Sequence, residues 1–384
     1  MAEHDAGTTI RLGYRSGINV TRDGEDRWTL RQVDRHGEEF CRVDLVKKRM
    51  RVGRSRIPTG GVSGLYTPPI HRAKGYASCL MEASHDFLRR QGCSIVLLNA
   101  IPGFYHRYGY DVVFPVYRLF VRTERLLQAR RLLNVRRARK RDEPALVKLY
   151  NQCNRYRTGT LVRNADWRFT RLVDYGRPPG KLLVVEDKRQ WVAGYALCRT
   201  RRDCYFVQEL TARSSSAFES LAGAVGTRAR RAGFDRVHFK LPVDHPFAEF
   251  CNRLGSEWEI QYHVNAEGMG RILDLPRFLA ALRPEFEYRL GKSGWSKKTC
   301  LWFETELGAA GLKIVGNTAR CIPNREADSH KIALSQTALL QLALGYRTVS
   351  DAAIEKGVRI PCTARPFLEV LFPPSPAMMP MVAE

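Results

Sequence analysis

Val62-Ser63-Gly64-Leu65-Tyr66-Thr67-Pro68-Pro69-Ile70-His71-Arg72-Ala73-Lys74-Gly75-Tyr76-Ala77 places a strand, a sharp turn and a helix start within sixteen residues. Within it, Arg72-x-x-Gly75-x-Ala77 supplies small residues where backbone N–H groups must close on an anion, at the positive end of the helix that follows. Gly75 lets the backbone approach, and Arg72 or Lys74 adds charge. The pattern alone also suits a plain strand-to-helix turn, so its surroundings decide.

Upstream, residues 28–33 alternate apolar and polar side chains, a turn follows at Asp34-Arg35-His36-Gly37, and residues 40–46 alternate again, which predicts a β-hairpin. Residues 57–66 read as a strand broken by Gly60 and Gly61. Downstream, Leu80, Met81, Ser84, Phe87 and Leu88 fall at helical spacing, predicting a helix over 74–90 with Gly92 just past its end. Residues 94–98 form a short buried strand, 102–108 a short helix and 112–121 a further strand. Strands leading to one well-marked helix and back describe a mixed α/β sheet.

Phe104-Tyr105-His106-Arg107-Tyr108-Gly109-Tyr110 lies at a fixed distance beyond the glycine turn. These two motifs, in this order and spacing, resemble the Arg/Gln-x-x-Gly-x-Gly/Ala and F-Y-x-x-x-G-F/Y signatures of the GNAT acetyltransferases. The resemblance implies acetyl-CoA as co-substrate, and the cysteine and histidine spacings imply no metal. The resemblance assigns the pyrophosphate to Arg72, Ala73, Lys74, Gly75, Tyr76 and Ala77, and the pantetheine and thioester to the strand residues Val62, Gly64, Leu65, Tyr66 and Thr67. Tyr105 matches the tyrosine that protonates the departing thiolate, and a phenol with an ordinary pKa of about 10 holds its proton at neutral pH. The strand carboxylate that some members use as a base is missing from 62–67.

From residue 134 the order of elements repeats. A strand at 135–138, a helix capped by Asp142, paired strands at 182–186 and 191–199, a strand at 204–210, a helix over 217–231 and a strand at 236–241 read as a second, degenerate unit, with Thr211-Ala212-Arg213-Ser214-Ser215-Ser216 where the glycine turn would stand. A third unit has a helix at 276–282, strands at 299–304 and 312–315, helices at 336–344 and 350–356, and an extended Pro-rich tail at 373–380. This layout resembles the Eis (enhanced intracellular survival) proteins, whose third domain is similar to sterol carrier proteins. The resemblance implies an α/β (α+β) chain with a catalytic GNAT domain at 1–133, a degenerate GNAT-like domain at 134–266 and a sterol-carrier-like domain at 267–384. It further implies a homo-oligomer and the carboxylate of Glu384 as the base. The N-terminal stretch lacks room for the two helices that help to form the family's acceptor pocket, so specificity does not carry over. The expected acceptor is a primary amine of an aminoglycoside-like molecule, a polyamine or a lysine.

The net charge of +24 comes from 63 Lys and Arg against 39 Asp and Glu, densest over 122–141. That run alternates with Leu126, Leu127, Leu132, Leu133 and Val135 and has no interleaved aromatics, as a solvated basic face would, so nucleic acid is not an expected partner. Ten cysteines without a C-x-x-C pair suggest reduced thiols of a cytoplasmic protein. No stretch has the length of a membrane span. His71, His85, His106 and His245 do not form a ligand spacing. The alternatives to acetyl transfer are a non-catalytic acyl-CoA-binding scaffold and an acetyltransferase acting on a nucleic-acid-associated substrate.

Overall fold

The computed structural model describes residues 10–11, 17–164, 167 and 181–380, and the chain forms two compact units. Of the described residues, the first draws on those within 10–114, 158–161 and 263–380, and the second on those within 115–157 and 162–262.

The first unit opens with strands β1 (Ile10–Arg11), β2 (Ile18–Gly24), β3 (Arg27–Val33), β4 (Glu39–Val52) and β5 (Ser55–Tyr66). Helix α1 (Tyr76–Arg90), β6 (Ile95–Ala100) and β7 (Asp111–Val112) follow. β2 to β5 form antiparallel hairpins, whereas β6 returns parallel to β5. α1 buries Leu80, Met81, Ala83, Phe87 and Leu88 in one cluster with Val43, Leu45, Val62, Val96 and Leu98. Each of these side chains larger than alanine is worth about 1.5–3 kcal/mol when taken out of water. β5 is unbroken at Gly60: a Cβ there would lie 2.6 Å from a Leu88 methyl, so this glycine admits α1 onto the sheet.

The strand expected over 112–121 divides. Pro115, which has no N–H for a ladder, separates β7 from β8 (Val116–Arg122). β8 pairs with strands of the second unit. That unit continues with α2 (Thr123–Leu127), β9 (Asn134–Arg137), α3 (Glu143–Cys153), β10 (Lys181–Glu186), β11 (Val192–Thr200), β12 (Tyr205–Ala212), α4 (Ser215–Arg231), β13 (Arg236–Phe239), α5 (Pro246–Leu254) and β14 (Glu257–Gln261). Its sheet runs β14-β8-β13-β12-β11-β10-β9, with α4 packed on it through Leu221, Ala222 and Val225.

The chain then returns to the first unit. β15 (Glu267–Ile272) inserts between β6 and β7, giving the order β1-β2-β3-β4-β5-β6-β15-β7. α6 (Leu275–Ser293) outruns the expected stop at 282 and carries Pro284 inside it. The backbone N–H of Glu285, next to that proline, donates to Ser55 Oγ at 3.1 Å. A four-stranded sheet of β16 (Thr299–Thr305), β17 (Gly308–Val315), β18 (Thr318–Ile322) and β19 (His330–Ala333) follows, with α7 (Gln336–Leu344), α8 (Val349–Ala353) and α9 (Arg365–Leu371). β8 of the expected first segment thus completes the second sheet, and β15 of the expected third segment completes the first.

No helix among the described residues is long and apolar enough to cross a membrane.

Candidate active site

β5 and β6 share only three ladder positions, ending at Gly61 opposite Leu97. β5 continues to Tyr66 and β6 to Ala100, so the two strands part and leave the end of β5 unpaired on that side. On its other side β5 breaks register with β4 between Arg42 and Asp44, and Gly64 takes φ +60 in the resulting bulge. A Cβ at Gly64 would meet the Asp44 carboxylate at 2.7 Å. Of the strand residues singled out by sequence, Val62 faces the core, Leu65 and Thr67 are half-buried, and Gly64 and Tyr66 are exposed.

The turn into α1 is held open. Arg72 is extended, Ala73 is left-handed at φ +60 and Gly75, the helix N-cap, at φ +81. A left-handed alanine is an uncommon and strained conformation. Alternating hands of this kind turn successive N–H groups towards one side, which makes an anion-binding concavity. Gly75 has no side chain to cap the helix, and the first turn holds no acid that would compete for the site. Arg72 is exposed, with its Nε donating to the Thr67 carbonyl at 3.1 Å; Lys74 is exposed too. Phe40 braces the loop, stacked on Tyr76 with centroids 5.0 Å apart and 4.7 Å from His71.

Tyr105 starts a 3-10 turn, Tyr105–Tyr108, that ends at left-handed Gly109. Its ring is edge-on to Phe104 at 4.9 Å and to Tyr110 at 6.1 Å. Burial, and secondarily the neighbouring Tyr108, push the Tyr105 phenol above its ordinary pKa, so it carries its proton at neutral pH. The Tyr108 hydroxyl lies 2.9 Å from Ser78 Oγ in the first turn of α1, stapling the tyrosine turn to the helix start.

Residues that sequence reasoning missed hold this turn from behind. Arg271 on β15 donates to the Tyr108 carbonyl at 2.7 Å, and the same nitrogen lies 3.1 Å from His85 Nδ1. A guanidinium only donates, so Nδ1 accepts, and Nε2–H of His85 donates to the Tyr110 hydroxyl at 2.9 Å. Burial, then the charge of Arg271, drive the His85 pKa down to about 3, which keeps the ring neutral. Gln336 at the start of α7 donates to the Gly109 carbonyl at 2.7 Å and accepts from the Ile272 N–H. Arg271 and Gln336 lie more than 160 residues from Tyr105, and nothing local in the sequence marks them.

The second unit keeps the strand–helix–strand arrangement but closes it. β12 runs into α4 with no glycine turn, and Ser214 caps the helix by accepting from the Ala217 N–H at 3.2 Å. β12 also bulges, at Gln208, but the adjacent Glu209 is taken. Arg163, 3% exposed, binds its carboxylate through both terminal nitrogens at 2.8 and 2.7 Å. Tyr195 adds a third bond to it, and the guanidinium stacks on Tyr150 and Trp167 at 3.5 and 4.4 Å.

Residues 29–113 match the family described as an acetyltransferase (GNAT) domain. This stretch is a GNAT acetyltransferase domain. The protein is accordingly an enzyme of the acyltransferase class, and domains of this family take acetyl-CoA as co-substrate. A search of curated proteins finds no match. Among solved structures the chain is similar to a probable N-acyltransferase from Enterococcus faecalis, at 17% identity over 92% of this chain and 88% of that one, with a TM-score of 0.75. It is also similar to a GCN5-related N-acetyltransferase from Kribbella flavida, at 20% identity over 92% and 88%, TM-score 0.69. A third likeness is to Eis1 from Mycobacterium abscessus, at 18% identity over 93% and 89%, TM-score 0.61. At such identities the likeness shows the shared fold. The matched acetyltransferase stretch contains the open turn and Tyr105, while Arg271 and Gln336, which buttress the tyrosine turn, lie outside it.

Among the described residues Cys300, Glu326 and Asp328 converge as metal ligands would, but Lys313 holds Glu326 at 2.7 Å and Lys298 holds Asp328 at 3.3 Å. Glu384 lies outside the described residues.

Proposed function

We propose that the acetyltransferase domain moves the acetyl group of acetyl-CoA directly to a primary amine, in a ternary complex of enzyme, acetyl-CoA and acceptor. The open N-terminus of α1, with left-handed Ala73 and Gly75 beside the parting of β5 and β6, carries this reading. In it, the backbone N–H groups of 73–77 receive the pyrophosphate, with the Arg72 and Lys74 side chains adding charge. The unpaired end of β5 at Val62, Gly64, Leu65, Tyr66 and Thr67 offers backbone groups to the pantetheine and thioester. The amine nitrogen attacks the thioester carbonyl, the carbon–sulfur bond breaks, and Tyr105 gives its phenolic proton to the leaving sulfur.

The proposed base, from the Eis resemblance, is the carboxylate of Glu384. Met379 packs over Gly268, the partner of Asn99 near the end of β6. The acceptor class, an aminoglycoside-like molecule, a polyamine or a lysine amine, belongs to the same proposal, as do a sterol-carrier-like segment at 267–384, a homo-oligomer and a cytoplasmic location.

Steady-state release of CoA with a panel of primary amines tests the reading. Tyr105→Phe should lower kcat by roughly 10²–10⁴, the span of general acid–base catalysis, with KM for acetyl-CoA little changed. An unchanged kcat would remove Tyr105 from the chemistry, and tight CoA binding without release on any amine would favour a non-catalytic binder.

A further inference from the structure

The basic run at 122–141 divides into two kinds of arginine. Arg136 is structural: it binds Asp142 at 2.7 and 3.0 Å and Glu186 at 2.7 Å, and lowers the pKa of Asp142 in doing so. Arg131 and Arg137 instead line a concave pocket of about 600 Å³ in the second unit, between the β9 strand and the last turns of α4. Lys181, Arg228 and Arg231 line it as well, and no Asp or Glu does. Among the described residues none of these five cations has a carboxylate within ion-pair distance.

Arg131 donates to Thr227 Oγ1 and to the Gly223 carbonyl, and Arg228 to the Ala224 carbonyl at 3.1 Å. These bonds use a minority of the five N–H donors that each guanidinium carries. Arg228 and Arg231 are in the last turn of α4, where cations ordinarily offset the negative helix end. Arg131, Arg137 and Lys181 come from other elements and have no such role, so the helix dipole does not explain the assembly. Unopposed like charges around one concavity repel one another, and a multiply charged anion relieves that repulsion. Thr200, Tyr205 and Thr227 line it too. A cavity of this volume suits a small molecule, whereas nucleic acid binds along extended basic ridges and grooves.

We propose that this pocket binds a compact phosphorylated metabolite carrying at least two phosphate groups. The site is at the C-terminal end of α4, the opposite end from the N-terminus at which a pyrophosphate is placed in the first unit.

Inorganic tripolyphosphate is the probe. The full chain, first saturated with CoA so that the turn at 72–77 is filled, is titrated calorimetrically with tripolyphosphate. The expected result is one site per chain whose affinity falls as salt rises. Arg137→Gln with Arg231→Gln should weaken it by about tenfold or more, since each removes a charge-assisted hydrogen-bond donor. Both residues are exposed, and an unchanged melting temperature checks the fold. Arg325→Gln with Lys356→Gln removes the same net charge elsewhere on the exposed surface and should leave binding unaltered. Equal binding by wild type and the pocket variant, no binding by CoA-saturated protein, or an equal loss in the control pair would overturn the proposal. So would a short nucleic-acid duplex that binds the pocket more tightly than tripolyphosphate.

Discussion

The two strand–helix–strand elements, β5–α1–β6 and β12–α4–β13, share a topology and differ where an anion would have to enter. In both, a bulged strand leads into a helix and a parallel strand returns. The first keeps its helix N-terminus open through Gly75 and a left-handed Ala73; the second seals it with the Ser214 hydroxyl. Beside the first bulge lies the partly exposed Asp44 carboxylate, whereas beside the second Glu209 is consumed by Tyr195 and by Arg163, whose guanidinium stacks on two aromatic rings. The same backbone can therefore serve as a binding site or as a filled scaffold, and a few side chains decide which.

The comparison breaks most visibly at Arg163. Arg163→Met leaves Glu209 as a buried carboxylate without its cation, and should destabilise the second unit by roughly 3–5 kcal/mol in calorimetric unfolding. Combining it with Glu209→Leu should recover much of that loss, because no charge is then stranded. Full stability of the single variant would mean that the ion pair does not hold the second unit together.

Acidification probes both units through buried histidines, His85 in the first and His238 and His245 in the second, of which His85 and His245 are the most depressed. His85 and His245 both have pKa values driven down to about 3, chiefly by burial and secondarily by Arg271 and Arg157. Between pH 3 and the ordinary histidine value near 6.5 the unfolded chain binds a proton that the folded chain refuses. Stability is thus complete above about pH 6.5 and falls as pH drops, by about 1.4 kcal/mol per pH unit for each histidine. Melting curves between pH 7 and 5 should show this slope, and His85→Gln should reduce it while keeping a donor for Tyr110 and an acceptor for Arg271. A slope untouched by His85→Gln would assign the loss to other groups. The smallest expected effect is at the sealed helix: Ser214→Ala should cost about 1 kcal/mol of stability and leave KM for acetyl-CoA unchanged.

Much of the first element was legible in sequence because it is local. The small residues at 73–77, the apolar spacing of α1 and the Phe104–Tyr110 motif lie within 49 residues and carry their own geometry. Gly60 misled, since a glycine that interrupts a strand and one that admits Leu88 look alike without the helix in place. The exchange of β8 and β15 between sheets was hidden for a different reason. Periodicity marks a strand but not its partner, and only Pro115 hinted that 112–121 would divide. Arg271 and Gln336 were out of reach on the same ground, as their partners are fixed by the sheet order and not by spacing. The base is still read from resemblance, because Glu384 lies outside the described residues.

On the proposed function, the β5–α1–β6 element binds CoA and the β12–α4–β13 element does not. Calorimetric titration of CoA into the full chain tests this directly, using Gly75→Asp, which has open space around its Cβ, takes on the strain of φ +81 and puts a carboxylate at the anion site, with an unchanged melting temperature as the check on the fold. Wild type and Ser214→Ala should each bind one CoA per chain, and Gly75→Asp none. Two CoA per wild-type chain, or undiminished binding by Gly75→Asp, would contradict the account.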